Sequence, residues 1–188
     1  TSSVIRRTLD GGLNWTAQTS PLGSRLYDVK FRASTRGMVV GIDDAVGVNN
    51  GRISVTTNGG SAWTILNLGT DRIYRGAELI PRGEALQGWA VGDGGSIQSA
   101  SDFEIETSWR SQSSGTANRL NSVDFISIER GWVVGDSGTI LSTSNSGGTW
   151  TNQSVGGAAN LNAVSFVDAT QGWAVGDGGS IQSASDFE

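Results

Sequence analysis

The stretch QGWAVGDGGSIQSASDFE occurs twice without change, at residues 87–104 and at residues 171–188. A related stretch, GWVVGDSGTILSTSNSGGTW, lies between the two at residues 131–150. A more divergent relative, GMVVGIDDAVGVNNGRISVTTNGGSAW, lies upstream at residues 37–63. Self-similarity at a period of roughly 20–50 residues is typical of repeat architectures, so we treat the chain as an array of repeats.

Each repeat contains four segments that favour β-strands, which we label A to D. Segment A is an apolar stretch at 26–31, 73–79, 120–125 or 161–166, and segment B is the Gly-x-x-Val-Gly stretch that follows it. Segment C carries the isoleucine of SIQSAS, and segment D begins at a tryptophan. Segments B and C are joined by Gly-Asp-Gly-Gly turns, whose glycines permit a positive φ. Segment B is apolar throughout, which is typical of strands buried on both faces.

These segments predict an all-β protein, a β-propeller made of four-stranded antiparallel blades. The tryptophans at 15, 63, 109 and 150 are 48, 46 and 41 residues apart, close to the roughly 40–50 residues of one blade. We expect a single repeat domain over 1–188 that contains about four blades. Its parts are a partial blade with strands C and D (1–20), three whole blades (21–68, 69–115 and 116–156) and a partial blade with strands A, B and C (157–188). Three arrangements remain open: the two partial blades complete each other within the chain, the ring is completed by a homo-oligomer that exchanges terminal strands, or the chain is a fragment of a longer array.

The composition excludes several classes of function. The chain has no histidine and no cysteine, which excludes disulfides, thiolate zinc sites and Ser-His or Cys-His nucleophiles, and no metal or cofactor is predicted. A net charge of −5 disfavours a nucleic-acid partner. No apolar run approaches the roughly 20 residues of a membrane span. These absences favour binding over catalysis.

Two sets of charged residues recur at equivalent positions of the repeats. An aspartate follows the B segment in three of them, and an arginine directly precedes the first apolar residue of segment A in three. Because equivalent positions of successive blades meet on one rim, we expect both sets on the same face. They form either a stabilising ring of ion pairs, which contributes little if exposed, or a site for a carboxylate, phosphate or acidic glycan. The predicted site residues are Asp93, Asp136, Asp177, Arg25, Arg72 and Arg119.

A second motif joins segments C and D. TLDGGLNW (8–15), TTNGGSAW (56–63) and TSNSGGTW (143–150) resemble the Asp-box, or BNR, repeat S/T-x-D-x-G-x-x-W. The Asp or Asn side chain of that motif accepts hydrogen bonds from turn amides. SASDFEIETSW (99–109) lacks the glycine and is longer, so we expect a distorted turn there. The predicted structural residues are Asp10, Trp15, Asn58, Trp63, Asp102, Trp109, Asn145 and Trp150.

Together with the preceding GWxVGDxGxI stretch, these motifs resemble the propellers of the Ycf48/Hcf136 type. That family is associated with photosystem II assembly and typically has about seven blades. The resemblance covers nearly the whole chain and implies a non-enzymatic binding or assembly scaffold whose loop face engages a protein or an anionic ligand. It also favours an extracytoplasmic location, such as the periplasm, the thylakoid lumen or a virion surface.

Two other functions remain open from the sequence. A duplicated or designed propeller fragment, such as a segment of a virion or surface appendage, would explain the exact repeat. A sialidase-like propeller that binds or hydrolyses glycans would share Asp-boxes and a set of three arginines. The chain offers no convincing Tyr-Glu pair for that chemistry, because Glu78 and Glu84 lie in the irregular second whole blade.

Overall fold

The computed structural model describes residues 3–23, 25–43, 50–69, 72–154 and 159–184. These residues form five antiparallel sheets, which we number in chain order. The first sheet has two strands, β1 (Ile5–Arg7) and β2 (Thr16–Gln18). The second has four, β3 (Arg25–Phe31), β4 (Gly37–Ile42), β5 (Gly51–Thr56) and β6 (Thr64–Leu66).

The third and fourth sheets also have four strands, and the fifth has three. The third contains β7 (Tyr74–Arg82), β8 (Ala85–Gly92), β9 (Ser96–Ala100) and β10 (Trp109–Gln112). The fourth contains β11 (Leu120–Phe125), β12 (Gly131–Gly135), β13 (Ile140–Thr143) and β14 (Thr151–Asn152). The fifth contains β15 (Leu161–Phe166), β16 (Gly172–Gly176) and β17 (Ile181–Ala184).

Within each sheet, every strand pairs with the next one along the chain. Neighbouring sheets pack face to face, and their closest approach is between their first strands, β3, β7, β11 and β15. This is the arrangement of propeller blades, so the predicted fold class is confirmed. Completion of the ring by oligomerisation stays a prediction.

Three apolar clusters fill the interfaces between neighbouring sheets from the second to the fifth. The largest buried side chains include Trp89, Trp132 and Tyr74. An aromatic side chain of this kind buries about 150–250 Å², so a few of them supply much of the stabilisation that small strands cannot supply alone. The core therefore lies between the blades and not within any one of them.

The second strands agree with the apolar pattern of segment B in three sheets. Gly37–Ile42, Gly88–Gly92 and Gly131–Gly135 are buried at every residue. The fifth sheet departs from that expectation, because alternate residues of β16 are exposed. The reason is that, among the described residues, no sheet covers the outer face of β16.

Among the residues that the structure describes, no helix has the length and apolar character needed to cross a lipid bilayer. Within the same ranges, no group of three or more acidic side chains comes close enough to hold a metal ion.

Candidate functional site

The predicted aspartates lie along one edge of the sheets, where each second strand turns into the third. We call it the loop edge, and it contains the turns Asp93–Gly95, Asp136–Gly138 and Asp177–Gly179. The backbone N–H of each aspartate donates to the carbonyl oxygen of the residue that precedes the first strand of the same sheet. These bonds join Asp93 to Ile73 (2.9 Å), Asp136 to Arg119 (2.8 Å) and Asp177 to Asn160 (2.9 Å). The three aspartates thus occupy equivalent places in successive sheets.

Glycine is required just before each aspartate, because the turn packs directly on that carbonyl oxygen. A Cβ at Gly92 would lie 1.9 Å from the oxygen of Ile73, and one at Gly135 would lie 2.0 Å from that of Arg119. Both distances are far below van der Waals contact. The Gly-Asp pair of segment B is therefore what brings the aspartate beside the start of the first strand.

In the third, fourth and fifth sheets the first strand contains a β-bulge. The extra residue of each bulge donates a hydrogen bond to the loop-edge aspartate of the same sheet. In the third sheet the pairing shifts between Tyr74 and Gly76, so that Arg75 is the extra residue of the bulge. Bulges often re-aim a side chain in this way. The resulting pairs within a sheet are Arg75 Nε to Asp93 Oδ1 (2.5 Å), Asn121 Nδ2 to Asp136 Oδ1 (2.9 Å) and Asn162 Nδ2 to Asp177 Oδ1 (2.8 Å).

Arg119 joins the third and fourth sheets at this edge. Its Nε lies 3.0 Å from Asp93 Oδ1, and its Nη1 lies 3.7 Å from Asp136 Oδ2. Arg75 makes a second contact with Asp93, Nη2 to Oδ2 at 3.1 Å, and its guanidinium stacks 4.8 Å from the ring centre of Tyr27 in the second sheet. One line of charged and aromatic contacts thus crosses three sheets.

The contacts of the loop edge shift the pKa values of Asp93, Arg75 and Asp177. Burial raises the pKa of Asp93, but Arg75 and Arg119 outweigh it and hold that pKa below its ordinary value. The hydrogen bond that Arg75 donates to Asp93 correspondingly raises the pKa of Arg75. Hydrogen bonds from the amides of Asn162 and Asn160 lower the pKa of Asp177. Asp93 and Asp177 therefore stay ionised at neutral pH.

The other two predicted arginines, Arg25 and Arg72, are exposed. Arg25 holds the place of Arg119 in its sheet, since a Cβ at Gly41 would lie 2.1 Å from its carbonyl oxygen. Ile73 holds that place in the third sheet, and Arg72 lies one residue before it. The predicted alignment of Arg72 with Arg25 and Arg119 is therefore wrong by one residue. The reason is that Tyr74, and not Ile73, pairs with the glycine that ends the second strand. The guanidinium of Arg72 lies against Gly94 in the neighbouring turn.

Sequence reasoning missed Arg75, which makes the closest ion pair of the loop edge. In the second to fifth sheets, the first strand has a polar or aromatic residue directly after its first apolar residue. This recurrence is the signal in the sequence that could have identified Arg75. The four residues are Tyr27, Arg75, Asn121 and Asn162. Arg75 and Arg119 share Asp93, and the side chain of Arg119 stays 46% exposed. A guanidinium in this state can donate to an incoming carboxylate or other anion.

The turns between third and fourth strands lie at the opposite edge of the sheets. In three of them the Asp or Asn side chain accepts the backbone N–H four residues later. The pairs are Asn14 to Asp10 (2.9 Å), Ala62 to Asn58 (2.8 Å) and Thr149 to Asn145 (2.9 Å). Hydrogen bonds from Asn14 and Thr8 lower the pKa of Asp10 to about 2.

The stretch without the glycine forms a different turn. Asp102 Oδ1 accepts the N–H of Glu104 at 3.2 Å, and a short helical turn, Glu106–Ser108, precedes Trp109. Trp109 is buried and donates from Nε1 to the carbonyl oxygen of Phe103 at 3.1 Å. Of the other tryptophans in these turns, Trp63 and Trp150 are partly buried and Trp15 is exposed.

Glu78 lies away from the loop edge, in the interface between the second and third sheets. Its carboxylate is fully buried, with Lys30 Nζ at 2.7 Å and Arg32 Nη2 at 3.0 Å. Burial raises the pKa of Glu78, and the hydrogen bond and charge of Lys30 oppose that effect. Glu78 thus joins two blades, whereas Glu84 is exposed in the hairpin that follows β7.

Comparison with solved structures finds this fold in Ycf48 from Cyanidioschyzon merolae, with 18% identity and a TM-score of 0.72. That match covers 97% of this chain and 63% of the other, so the chain spans less than two thirds of its length. Ycf48 bound to D1 peptide matches with 17% identity and a TM-score of 0.53, over 98% of this chain and 73% of that one. An ancestral GH74 enzyme matches with 14% identity and a TM-score of 0.57, over 90% of this chain and 27% of that one.

No protein-family model and no curated protein sequence matches the chain. The structural matches show a Ycf48-like, propeller-type fold. At these identities the likeness concerns the fold alone, and the function must be argued from the residues of the chain itself.

Proposed function

We propose that the chain is a non-enzymatic protein-binding module, similar in role to an assembly factor, whose loop edge engages an acidic group of a partner protein. The observation that carries the proposal is the half-exposed guanidinium of Arg119, which is shared between two carboxylates and saturated by neither. The exposed side chains of Arg25 and Arg72 add positive charge nearby. The loop edge therefore combines a preorganised set of ion pairs around Asp93 with arginine N–H donors that a ligand can reach.

Two further points support a peptide or protein as the partner. One of the structurally similar proteins is a Ycf48 bound to a D1 peptide. The loop edge is also formed by short turns on several sheets, which is the kind of surface on which folds present binding residues. An extended acidic segment could contact successive turns and reach more than one arginine.

The positions of the acidic residues support binding over glycosidase chemistry. Glu78 is buried in an ion-pair cluster with Lys30 and Arg32, and Tyr74 is buried as well. A sialidase-type reaction pairs a tyrosine with a glutamate beside the arginines; Tyr27 does lie beside Arg75 at the loop edge, but the buried Glu78 does not accompany it there. Asp93 and Asp177 are held ionised by their donors, which suits ion pairing better than proton transfer.

Fluorescence anisotropy with a labelled glutamate-rich peptide tests the proposal, and a glutamine-rich peptide of the same length is the reference. We expect the acidic peptide to bind more tightly and its affinity to fall with salt. Arg119→Gln should weaken it about fivefold, because an exposed charge pair contributes up to about 1 kcal/mol. Arg82→Gln is the matched control, since Arg82 is exposed at the opposite edge of the third sheet. Equal binding of both peptides, or equal losses in both variants, would contradict the proposal.

A further inference from the structure

An open cavity of about 770 Å³ lies on the outer strands of the third sheet. It extends from Gly94 and Gly95, in the turn after β8, along β9 and β10 to the segment 113–117. Small-molecule sites in proteins have volumes of roughly 300–1,000 Å³, so the cavity is large enough for a ligand. The polar side chains of its described lining include Arg72, Ser96, Gln98, Ser111, Ser113 and Thr116.

The alternation of side chains along β9 produces this polar lining. Ser96 and Gln98 share one face of the strand, because alternate residues of a strand lie on the same face. Ile97 between them belongs to the opposite face, where it packs in the apolar cluster with Trp89. Gln98 is buried, and its Nε2 donates to Ser111 Oγ in β10 at 2.7 Å. This bond fixes the amide and leaves its Oε1 as an acceptor for a ligand.

The fourth sheet closes the corresponding place with its own side chains. Asn118 Nδ2 donates to Thr139 Oγ1 at 2.9 Å, and Ser154 Oγ accepts the N–H of Ile140 at 3.0 Å. Leu141 stands at the position of Gln98 and is buried. The polar groups of this position are thus paired within the fourth sheet.

The third sheet leaves the same groups open. Ser96, which corresponds to Thr139, has a buried Oγ with no hydrogen-bond partner among the described residues. Arg72 stands at the position of Asn118, but its Nη1 lies against Gly94, only 2.3 Å from where a Cβ would be. Ser113 corresponds to Ser154 and is exposed. A buried hydroxyl without a partner is costly, so a ligand that supplies one gains free energy here.

We propose that this cavity binds a small polyhydroxylated carboxylate, such as a sugar acid, with its carboxylate on Arg72 and its hydroxyls on Ser96, Gln98 and Ser113. Serine hydroxyls both donate and accept, and the Gln98 oxygen accepts, which matches the alcohol groups of a sugar. The guanidinium of Arg72 offers a planar pair of donors that fits a carboxylate.

The charge of the cavity distinguishes a carboxylate from a phosphate. Within the described lining, Arg72 is the one charged side chain. It balances the single charge of a carboxylate, whereas a phosphate monoester carries a charge of about −1.5 to −2 at neutral pH. The ligand therefore belongs to the sugar acids and not to the sugar phosphates.

This inference does not depend on protein binding at the loop edge. Arg119 and Asp93, which carry that proposal, are not part of the described lining of the cavity. A glutamate-rich peptide also lacks the hydroxyl groups that the cavity would bind. The two proposals can therefore fail separately.

NMR titration of the whole ¹⁵N-labelled chain with glucuronate tests the inference. We expect saturable shifts of the backbone amides at 94–98 and 111–117. Glucose, which lacks the carboxylate, and acetate, which lacks the hydroxyls, should each bind at least about tenfold more weakly. Equal affinity for acetate, or no saturable shift with glucuronate, would overturn the inference. Tighter binding of glucose 6-phosphate than of glucuronate would overturn the assignment to a carboxylate.

Arg72→Gln tests the anion-binding part of the site. We expect it to raise the Kd for glucuronate at least about tenfold, because it removes charge-assisted hydrogen bonds, and to leave the Kd for glucose unchanged. Arg82→Gln is the control, since Arg82 is exposed at the opposite edge of the same sheet. Equal losses in both variants would show an effect of overall charge and contradict a site at Arg72.

Gln98→Leu tests the hydroxyl-binding part. Leucine is the residue of the fourth sheet at this position, so we expect the fold to be retained and the Kd for glucuronate to rise about fivefold, as for one lost hydrogen bond. Gln182→Leu makes the same change in the second copy of the duplicated stretch, outside the lining of this cavity, and should leave the Kd unchanged. An unchanged Kd in Gln98→Leu, or an equal rise in Gln182→Leu, would refute the placement of the ligand on β9.

Discussion

Alanine substitutions at Trp89 and Trp173 compare one residue in two environments, because the eighteen residues around them are identical. Trp89 is fully buried and stacked on Phe125. A tryptophan that loses about 200 Å² of buried area at about 25 cal/mol per Å² costs about 5 kcal/mol, near the upper end of the roughly 3–5 kcal/mol observed for such truncations. Trp173 is 46% exposed, so about half of that area is at stake and no closed cavity is left behind. We expect a cost of about 2.5 kcal/mol there.

The assay is chemical denaturation of both variants at a concentration where light scattering shows a monomer. A difference of about 2–3 kcal/mol between them corresponds to a difference in Tm of roughly 4–12 °C for a chain of this size. Equal destabilisation of the two variants in the monomer would refute the reasoning, since it would mean that the face of the fifth sheet is covered within one chain.

Two other perturbations test the loop edge. The pKa of Asp93 is lowered below its ordinary value of 3.8, so the stability that its charge contributes is present above that pH and is lost as the pH falls through the lowered value. Wild type should therefore exceed Asp93→Asn by up to about 1 kcal/mol at pH 7 and by less at low pH, and a constant difference in denaturation free energy would contradict this. Ser137 has a φ of 57° at a position where the fifth sheet has Gly178 at 68°, and left-handed backbone costs a side-chain-bearing residue about 1–2 kcal/mol. Glycine has the greater entropy in the unfolded chain, which offsets part of this cost. We therefore expect Ser137→Gly to stabilise the fold by about 0.5 kcal/mol in thermal melts and Gly178→Ser to destabilise it by a similar amount. A change of the same sign in both variants would show that side-chain contacts, and not backbone conformation, determine the effect.

The sequence was sufficient to predict the strands and their pairing, because each turn carries its own chemistry. Gly-Asp before a third strand, and the glycines before β2, β6 and β14, favour tight turns because glycine permits a positive φ. The three aspartates of the loop edge follow from the same pattern, since one turn type places them in one position. These predictions depend only on neighbours along the chain.

The details that the sequence could not supply depend on neighbours in space. The stretch around Arg72 and Arg75 contains two arginines that flank an Ile-Tyr pair, and only the position of the bulge decides which one meets Asp93. Burial of Glu78 between Lys30 and Arg32 requires knowing that two first strands face each other. The exposure of Trp173 is invisible to any pattern, because its sequence context is that of the buried Trp89.

The duplication also bears on how the chain reaches its folded state. The two identical stretches both carry the residues that fill the place between the second and fourth sheets. Those residues alone therefore do not determine which stretch occupies that place. The choice falls to the strands that flank each copy. The stretch at 87–104 follows β7, whose Glu78 pairs with Lys30 and Arg32, and precedes β10. The other copy follows β15, which has Ser165 at the position of Glu78. The flanking strands, which differ most between the repeats, therefore determine which copy of the stretch forms part of the third sheet.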